Sequence, residues 1–415
     1  MSGDAHLAGR ADGERAPIVT AVDVAVVGAG IHGAGMAQAA AAAGHSVVLL
    51  EQTAIAAGTS SRSSKLIHGG LRYLETGQFH LVRESLHERT LLLSLAPELV
   101  QLRRFHVPIY RATRRRPWQL TLGLSLYGLL AGCSRGAAFG LVPRRHWGEL
   151  DGLATEGLQH VFHYQDAQTD DRALTRAVVF SAQSLGAQLL CPARCLGATL
   201  TDQAVQLRYR EAGGREQECH ARVLVNAAGP WADDFARSIS PTIPIPAIER
   251  VQGSHLVLPL QLQAGCYYLE SPRDGRAIFA LPWQGRLLLG TTETRHRGDA
   301  DHCSPSPAEE SYLLGVLKHY FPAWRSPAAV AARTSFAGLR VLPRGPGHAF
   351  HRSRETLLLT DRERTPRVLS IYGGKLTTWR AVAQRAMTRI AASLPMRRAR
   401  AHTDRLRLQP VASDV

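Results

Sequence analysis

A glycine-rich turn that follows a short apolar run constrains the fold of this chain more than any other feature. Residues 22–27 read VDVAVV, an apolar and β-branched run that is typical of a buried parallel strand. Gly28, Gly30 and Gly33 come next and form the pattern GxGxxG, and an alanine-rich helix is predicted over 34–43. Strand, turn and helix in this order are typical of a dinucleotide-binding βαβ unit.

The positions around the turn have separate physical roles in holding a dinucleotide. The first glycine allows the tight turn, the second lets the backbone approach a pyrophosphate, and the third lets the helix pack close to the strand. Ile31 and His32 lie within the turn, and the N-terminus of the helix that follows attracts phosphate oxygens. A second strand is predicted over 46–50 and is followed by Glu51 and Gln52, where an acidic residue binds ribose hydroxyls. The acid favours FAD or NAD over NADP.

Length and charge limit the classes of partner. The chain of 415 residues is long enough for two domains, and its formal charge of +15 favours phosphorylated metabolites, nucleic acid or an acidic membrane surface. Nucleic acid is not expected, because the basic residues are dispersed and form no nucleic-acid motif. Six scattered cysteines form no CxxC pair, so we expect reduced thiols and no metal site. No apolar run reaches the roughly 18 residues that a transmembrane helix needs.

The order of the predicted elements indicates an α/β region that is divided by an antiparallel one. A last buried strand is predicted over 368–372, and short alternating runs between residues 253 and 291 indicate an antiparallel meander. We therefore predict an α/β plus α+β fold, with a Rossmann-like nucleotide-binding domain that is discontinuous in sequence and an inserted antiparallel-sheet substrate domain. The first domain takes residues 21–90, 168–235 and 351–394, the substrate-binding or cap domain takes 91–167 and 236–350, and a disordered leader (1–20) and a basic tail (395–415) flank them.

The segment 59–75, TSSRSSKLIHGGLRYLE, holds many hydrogen-bond donors and little apolar bulk. This segment resembles the FAD-dependent glycerol-3-phosphate dehydrogenase family, within the D-amino-acid-oxidase-like FAD oxidoreductase superfamily. The resemblance implies FAD as the cofactor and oxidation of sn-glycerol 3-phosphate to dihydroxyacetone phosphate by hydride transfer to flavin N5. The other motifs that carry it are NAAGPW (226–231), GSH (253–255), GTTE (290–293), GLR (338–340) and YGGKLTT (372–378).

The chain departs from the family pattern in three places. The asparagine of the family's glycine-rich turn is His32 here, and the family's Val-Arg-Pro is Leu339, Arg340 and Val341. The family continues into a C-terminal helical domain, which we expect this chain to lack. These departures leave the exact substrate and the electron acceptor open.

Most of the residues that the resemblance assigns to FAD are small or carry hydrogen-bonding groups. Gly69 and Gly70 let the backbone pass close to a flat ring. A helix N-terminus after Gly374 can face the flavin pyrimidine or a developing negative charge. A tight connection is the alternative for each small-residue turn taken alone. The expected contacts are Gly28, Gly30, Ile31, His32, Gly33, Glu51, Gln52, Thr59, Ser60, Ser61, Ser64, Lys65, Leu66, His68, Gly69, Gly70, Gly229, Trp231, Gly374, Lys375, Leu376 and Thr377.

The expected substrate is a phosphorylated polyol, whose negative charges need Arg and Lys side chains. The resemblance assigns Arg72, Tyr73, Arg340, Arg354 and Lys375 to the substrate, and Arg352 competes with Arg354 for its position. His255 is the candidate base, because an imidazole with a pKa of about 6.5 suits proton removal near neutral pH. A hydrogen-bonded structural histidine is the alternative. Arg340 and Lys375 complete the predicted catalytic set, since a cation can stabilise a developing alkoxide.

The acceptor and the location follow from the resemblance. It implies a quinone or another acceptor, and a cytoplasmic protein that is either free or attached to the inner face of the membrane. Residues 114–130 join three arginines to an apolar run with Trp118 and Tyr127, which favours either a peripheral membrane element or an apolar helix packed into the substrate domain. An amino-acid or hydroxy-acid oxidase that uses oxygen and a non-catalytic flavin-binding protein are the alternative functions. The oligomeric state does not follow from the sequence.

Overall fold

Two multi-stranded sheets organise the protein. The computed structural model describes residues 20–132, 136, 138–344 and 355–411. Arg352, Arg354 and the predicted leader up to residue 19 lie outside the described residues. The two sheets and their helices confirm the predicted combination of α/β and antiparallel regions. The domain boundaries proposed from the sequence stay a prediction.

The first sheet is built around the predicted βαβ unit. With strands numbered in chain order, its members are β1 (Thr20–Val27), β2 (Val47–Leu50), β7 (Gln188–Leu190), β8 (Ala193–Leu200), β9 (Val205–Glu211), β10 (Glu216–Asn226), β11 (Ile239–Ser240), β18 (Leu357–Thr360) and β19 (Val368–Tyr372). Their order is β11-β8-β9-β10-β1-β2-β7, and β19 pairs with β10 and β18. β1 pairs in parallel with β2 and β10, so it lies inside the sheet, and alternate residues of Val24–Val27 pack into two different cores, which explains its apolar sequence.

The helix after the glycine-rich turn needs small side chains. α1 (Ile31–Ala42) is buried along almost its whole length and packs against α5 (Asp171–Ser184) and α9 (Trp379–Ile390). A Cβ atom at Gly35 would lie 2.6 Å from the ring of Trp379. Only small side chains allow these helices to approach so closely.

The second sheet supplies the antiparallel region. Its members are β3 (Leu66–Ile67), β4 (Val100–Tyr110), β5 (Gly140–Leu141), β6 (Leu158–Thr169), β12 (Ile248–Leu258), β13 (Cys266–Glu270), β14 (Ala277–Trp283), β15 (Arg286–Gly290), β16 (Thr294–His296) and β17 (Thr334–Pro343). The order is β16-β12-β15-β14-β13-β4-β6-β3, with β17 paired to β12 and β5 paired to β6. β13, β14 and β15 form an antiparallel meander, as the sequence indicates, whereas β12 pairs with β15 and not with its neighbour in sequence, β13.

The remaining helices are α2 (Arg72–Glu75), α3 (Phe79–Leu95), α4 (Pro117–Leu130), α6 (Ala232–Arg237), α7 (Pro307–Tyr320) and α8 (Pro327–Val330). α4 has one buried face and one exposed face. One face packs into the protein through Leu120, Leu124 and Tyr127, whereas Trp118 and Leu122 are exposed by 66 % and 63 %. Tyr127 belongs to the buried face, and its hydroxyl donates to Asp166 at 2.7 Å.

The basic tail has no helix or strand between residues 395 and 411, yet it is packed onto the protein. The backbone amide of Arg400 donates to the carbonyl of Ala42, and that of Leu408 donates to the carbonyl of Leu95, at 2.7 Å each. Leu408 is buried in the core around α1. Among the described helices, none combines the length and the apolar character that crossing a membrane requires.

Candidate active site

A large cavity collects residues from both sheets. Its volume is about 860 Å³, and its wall includes the turn between β1 and α1 as well as parts of β12 and β17. Arg354 lies outside the described residues. Of the residues predicted at the cofactor or the substrate, the wall contains Gly28, Gly30, Ile31, His32, Glu51, Gln52, Thr59, Ser60, Ser64, Leu66, His68, Gly70, Arg72, Tyr73, Gly229, Trp231, His255, Arg340, Gly374, Lys375, Leu376 and Thr377.

The glycine-rich turn has the close contacts that its sequence predicts. Gly28 has a φ of +100°, and a Cβ atom there would lie 2.7 Å from the carbonyl oxygen of Ala227 on the neighbouring chain segment. A Cβ atom at Gly33 would lie 1.8 Å from the carbonyl oxygen of Gly28. Any larger residue at either position would push the turn away from the start of α1.

Polar groups surround the start of α1. The hydroxyl of Ser60 accepts a hydrogen bond from the amide of Ile31 at 2.9 Å. The carboxylate of Glu51 accepts from the amides of Ala29 and Thr53, at 2.9 and 3.0 Å, and it is buried at the end of β2. The first turn of α1 has no acidic residue, so its positive end is open to an anion.

His32 joins the start of α1 to the turn after β19. A Cβ atom at Gly374, where φ is +101°, would lie 2.2 Å from Nε2 of His32, so glycine is required for this contact. Burial, with the positive charge of Arg385, lowers the pKa of His32 to about 4. Its buried Nδ1 has no hydrogen-bond partner among the described residues, so a polar group from a ligand could satisfy it.

Four residues predicted at the cofactor do not reach the cavity wall: Gly33, Ser61, Lys65 and Gly69. Lys65 was expected to donate to FAD, but its ammonium lies in a buried ion pair with Asp171, 2.6 Å away. The hydroxyl of Ser61 donates to the carbonyl of Gly58. Gly69 packs against the side chain of Tyr127, where a Cβ atom would lie 2.6 Å from the hydroxyl. These four residues therefore contact other parts of the protein and not the cavity.

A cluster of cations lines the part of the cavity formed by the second sheet. Glu293 lies at its centre and contacts Arg72 at 3.8 Å, Arg276 at 3.1 Å and Arg340 at 3.3 Å. Lys375 extends from the other sheet, and its ammonium lies 3.8 Å from the centroid of the Tyr73 ring. The structure thus brings three separate cationic residues of the prediction to one cavity.

Sequence reasoning missed two members of this cluster, Arg276 and Glu293. Glu293 ends the GTTE motif, which was a usable signal, but a lone carboxylate gives no hint of its partners. Arg276 belongs to no recognised motif. It immediately precedes β14, and this strand places it at the cavity wall. Gly253 makes room for the cluster, since a Cβ atom there would lie 2.6 Å from Nη2 of Arg340.

His255 lies on β12 at the wall of the cavity. It is 2 % exposed, and its Nε2 is 2.9 Å from the hydroxyl of Ser64. Its ring stacks on Phe336 with a centroid distance of 4.9 Å and packs on Gly290, where a Cβ atom would lie 2.2 Å away. Burial, together with the charges of Arg340 and Lys65, lowers the pKa of His255 to about 3. The imidazole is therefore neutral at neutral pH, but in the protein without ligand it is a weaker base than the usual pKa of about 6.5, on which the sequence prediction rests, would make it.

Comparison with known families shows which family the protein belongs to. The model of a family described as FAD dependent oxidoreductase matches residues 23–380, which is most of the chain. The chain belongs to this family. The oxidoreductase therefore uses FAD, as the sequence resemblance implied.

Curated relatives of the oxidoreductase include dehydrogenases of polyol phosphates. It is 38 % identical over 385 residues to the glycerol-3-phosphate dehydrogenase of Pseudomonas aeruginosa, covering 90 % of this chain and 72 % of that protein. It is 34 % identical to the D-erythritol 1-phosphate dehydrogenase of Brucella abortus, covering 90 % and 74 % of the two chains. The aerobic glycerol-3-phosphate dehydrogenase of Escherichia coli is also 34 % identical, with 89 % and 73 % covered.

Solved structures have the same fold. The glycerol-3-phosphate dehydrogenase of Bacillus halodurans, complexed with FAD, matches with a TM-score of 0.71 and 25 % identity over 93 % of this chain and 67 % of that one. The L-alpha-glycerophosphate oxidase of Mycoplasma pneumoniae, with FAD bound, matches with a TM-score of 0.72 over 91 % and 97 % of the chains. Its identity is 17 %, so this second match shows the fold alone.

The residues of the oxidoreductase fit a bound FAD. The first turn of α1 carries no acidic residue, so the positive end of this helix suits a pyrophosphate. Glu51 offers carboxylate oxygens at the end of β2, where ribose hydroxyls are bound in such folds. The buried and unsatisfied Nδ1 of His32 lies at the same end of the cavity wall. These groups would hold the cofactor along the first sheet, which leaves the cation cluster of the second sheet for the substrate.

Proposed function

We propose that this oxidoreductase oxidises sn-glycerol 3-phosphate to dihydroxyacetone phosphate. The observation that carries the proposal is the cation cluster, which lies in the same cavity as the dinucleotide turn. The names of the relatives from Pseudomonas aeruginosa and Escherichia coli support the same substrate. An amino-acid substrate carries a carboxylate that one arginine usually satisfies, whereas in this cavity three arginines meet around Glu293 and Lys375 lies in the same wall.

Charge decides how the substrate is oriented. Arg72, Arg276, Arg340 and Lys375 supply four positive charges, and Glu293 removes one. The excess matches a phosphate with up to two negative charges, and the arginines can bind it with forked hydrogen bonds. With the phosphate held there, the carbon chain of the substrate extends toward the wall formed by β12.

His255 is the proposed base. Its neutral imidazole takes the proton of the substrate hydroxyl as the C–H bond breaks. FAD, when bound, supplies the acceptor for the hydride. Arg340 and Lys375 stabilise the negative charge that develops on the substrate oxygen. The role of the protein is thus to place the hydroxyl, the base and the cations together.

A quinone or another acceptor is proposed to reoxidise the enzyme at the cytoplasmic face of a membrane. The exposed face of α4 supports membrane contact, because Trp118, Leu122 and Leu129 form an apolar stripe on it. Arg114 and Arg116 precede the stripe and are exposed, which would favour an anionic lipid surface. The helix is too short to span a bilayer and would lie in the interface.

Anaerobic reduction of the purified holoenzyme tests the proposed function. Glycerol 3-phosphate should bleach the flavin absorption, whereas glycerol, which has no phosphate, should leave it unchanged. Glycine and hydroxy acids serve as probes for the oxidase alternative, and D-erythritol 1-phosphate serves as a probe for a longer polyol. If any of these three bleached the flavin faster, that compound would replace glycerol 3-phosphate as the proposed substrate. A protein that neither glycerol 3-phosphate nor any of the three bleaches would support the non-catalytic alternative.

A further inference from the structure

A buried carboxylate organises the segment that runs beside the active site. Asp171 is the first residue of α5 and has no exposed surface. It accepts hydrogen bonds from the amide and the hydroxyl of Ser63, at 2.9 and 2.7 Å, and from the ammonium of Lys65 at 2.6 Å. That ammonium also donates to the carbonyl of Ser61 at 2.6 Å. The chain from residue 61 to residue 65 therefore wraps around one carboxylate.

Aromatic rings complete the surroundings of Lys65. Its ammonium lies 5.3 Å from the centroids of Trp283 and Phe336, within the range of cation–π attraction. Phe336 is also the ring on which His255 stacks. Lys65 has a φ of +60°, a conformation that a non-glycine residue keeps only where its surroundings impose it. The ion pair with Asp171 supplies that constraint.

Ser64 is the member of this segment that turns toward His255. Its hydroxyl lies 2.9 Å from Nε2 of His255, and both residues are in the wall of the cavity. Ser63 and Lys65, on either side of it, are bound to Asp171. Because Asp171 holds the side chains of both Ser63 and Lys65, the side chain of Ser64 between them points away from Asp171 and toward His255.

We infer that Lys65 and Asp171 form a positioning pair, which holds the Ser64 hydroxyl where it accepts a hydrogen bond from Nε2–H of His255. This leaves Nδ1, which has no partner among the described residues, as the nitrogen that takes the substrate proton. The inference rests on the proposed function, because it gives His255 a role in proton removal. The pair touches neither substrate nor cofactor and acts through Ser64. Loss of the pair should therefore lower kcat and leave phosphate binding unchanged.

A mutant cycle on the FAD-loaded enzyme tests the inference. Ser64→Ala removes the hydroxyl, and the double variant Lys65→Met/Asp171→Leu replaces the buried pair with apolar side chains of similar size, a change that often preserves folding. Each should lower kcat about tenfold or more, because a misplaced base loses part of the acid–base contribution. The KM for glycerol 3-phosphate should change less than about twofold, since neither variant removes a cation of the cluster.

The combined triple variant distinguishes positioning from a general structural role. If the pair acts through Ser64, the triple variant should be no slower than the slower of the two parent variants, because both remove the same contact. Losses that multiply, or a double variant with unchanged kcat, would overturn the inference. Replacement of another buried pair, Glu88→Leu/Arg380→Met, is the matched control and should alter stability without this kcat effect.

Two further measurements keep the test decisive. If the double variant does not fold, Asp171→Asn retains the shape of the side chain and takes its place in the same cycle. A crystal structure of the variant should show the Ser64 Oγ to His255 Nε2 distance lengthened beyond hydrogen bonding, and an unchanged distance would contradict the inference. This distance does not depend on the identity of the substrate, so it separates failure of the inference from failure of the proposed function.

Discussion

Arg340 and Glu293 form an ion pair at the wall of the active-site cavity, with Nη1 and Oε1 3.3 Å apart. The side chain of Glu293 is 1 % exposed, and it also contacts Arg72 and Arg276. One carboxylate thus holds three guanidinium groups close together before an anion arrives. Because it offsets only one of their charges, the site remains positive and can still attract a phosphate.

Replacing Arg340 should weaken recognition of the phosphate. We expect Arg340→Ala to raise the KM for glycerol 3-phosphate about tenfold to a hundredfold, the range for losing a hydrogen bond to a charged group. Steady-state kinetics of the holoenzyme measures this change. Arg333→Ala is the control, because Arg333 pairs with Glu310 at the surface and lies outside the cavity wall. An unchanged KM in a folded Arg340→Ala protein would remove this residue from the proposed site.

Neutralising Glu293 should have opposite effects on stability and on anion binding. In Glu293→Gln the arginines lose their shared counter-ion, so we expect a lower midpoint of thermal unfolding in phosphate-free buffer. The more positive cluster should bind inorganic phosphate more tightly, which predicts a larger phosphate-induced rise of that midpoint than in the wild type. Thermal denaturation across a phosphate titration measures both. An equal rise in the two proteins would show that Glu293 does not set the charge of this site.

Acid should destabilise the protein through His255. Its pKa is lowered to about 3 in the folded state, whereas an unfolded histidine titrates near pH 6.5. Between these values the unfolded chain binds more protons, so the free energy of unfolding falls as the pH falls. From pH 7 to pH 5 this single group should cost about 2 kcal/mol. Urea denaturation at the two pH values measures this loss of unfolding free energy. It should be smaller by about 2 kcal/mol in His255→Gln than in the wild type. Equal losses in the two proteins would refute the lowered pKa of His255.

The exposed stripe of α4 should control binding to lipid. We expect Trp118→Ala/Leu122→Ala to bind anionic vesicles about tenfold or more weakly, because two large side chains no longer enter the interface. Vesicle cosedimentation at low salt measures the change. Phe180→Ala is the control, since Phe180 is an exposed apolar side chain on α5. Equal binding of the wild type and the α4 variant would exclude this helix as the membrane contact.

Local patterns in the sequence were sufficient for most of the framework. The predicted strand over Val368–Tyr372 matches the structure at both ends, and β13, β14 and β15 lie within the region 253–291 for which an antiparallel meander was predicted. Such elements follow from apolar periodicity and from glycine and proline at their ends, which are local properties. The same holds for the glycine-rich turn, whose close contacts at Gly28 and Gly33 exclude larger residues.

Side-chain direction in the loops was not predictable in this way. Lys65 lies in a motif rich in donors, and sequence reasoning directed it to the cofactor, but Asp171, 106 residues later, binds its ammonium. Tyr127 lies in an apolar run that could face lipid, but its hydroxyl donates a hydrogen bond to Asp166, which holds the side chain in the protein interior. In both cases the deciding partner is remote in sequence, and desolvation of the polar group makes that partner obligatory.

The sequence by itself determined that this protein builds a dinucleotide-binding unit, has an antiparallel region between α/β segments and carries the motifs of an FAD oxidoreductase. These properties depend on the order and spacing of neighbouring residues. Only the tertiary structure decided that Arg72, Arg276 and Arg340 meet around Glu293, and that Ser64 lies against His255. Such contacts join residues from separate strands and loops, and they arise only when burial of the two sheets brings those segments together.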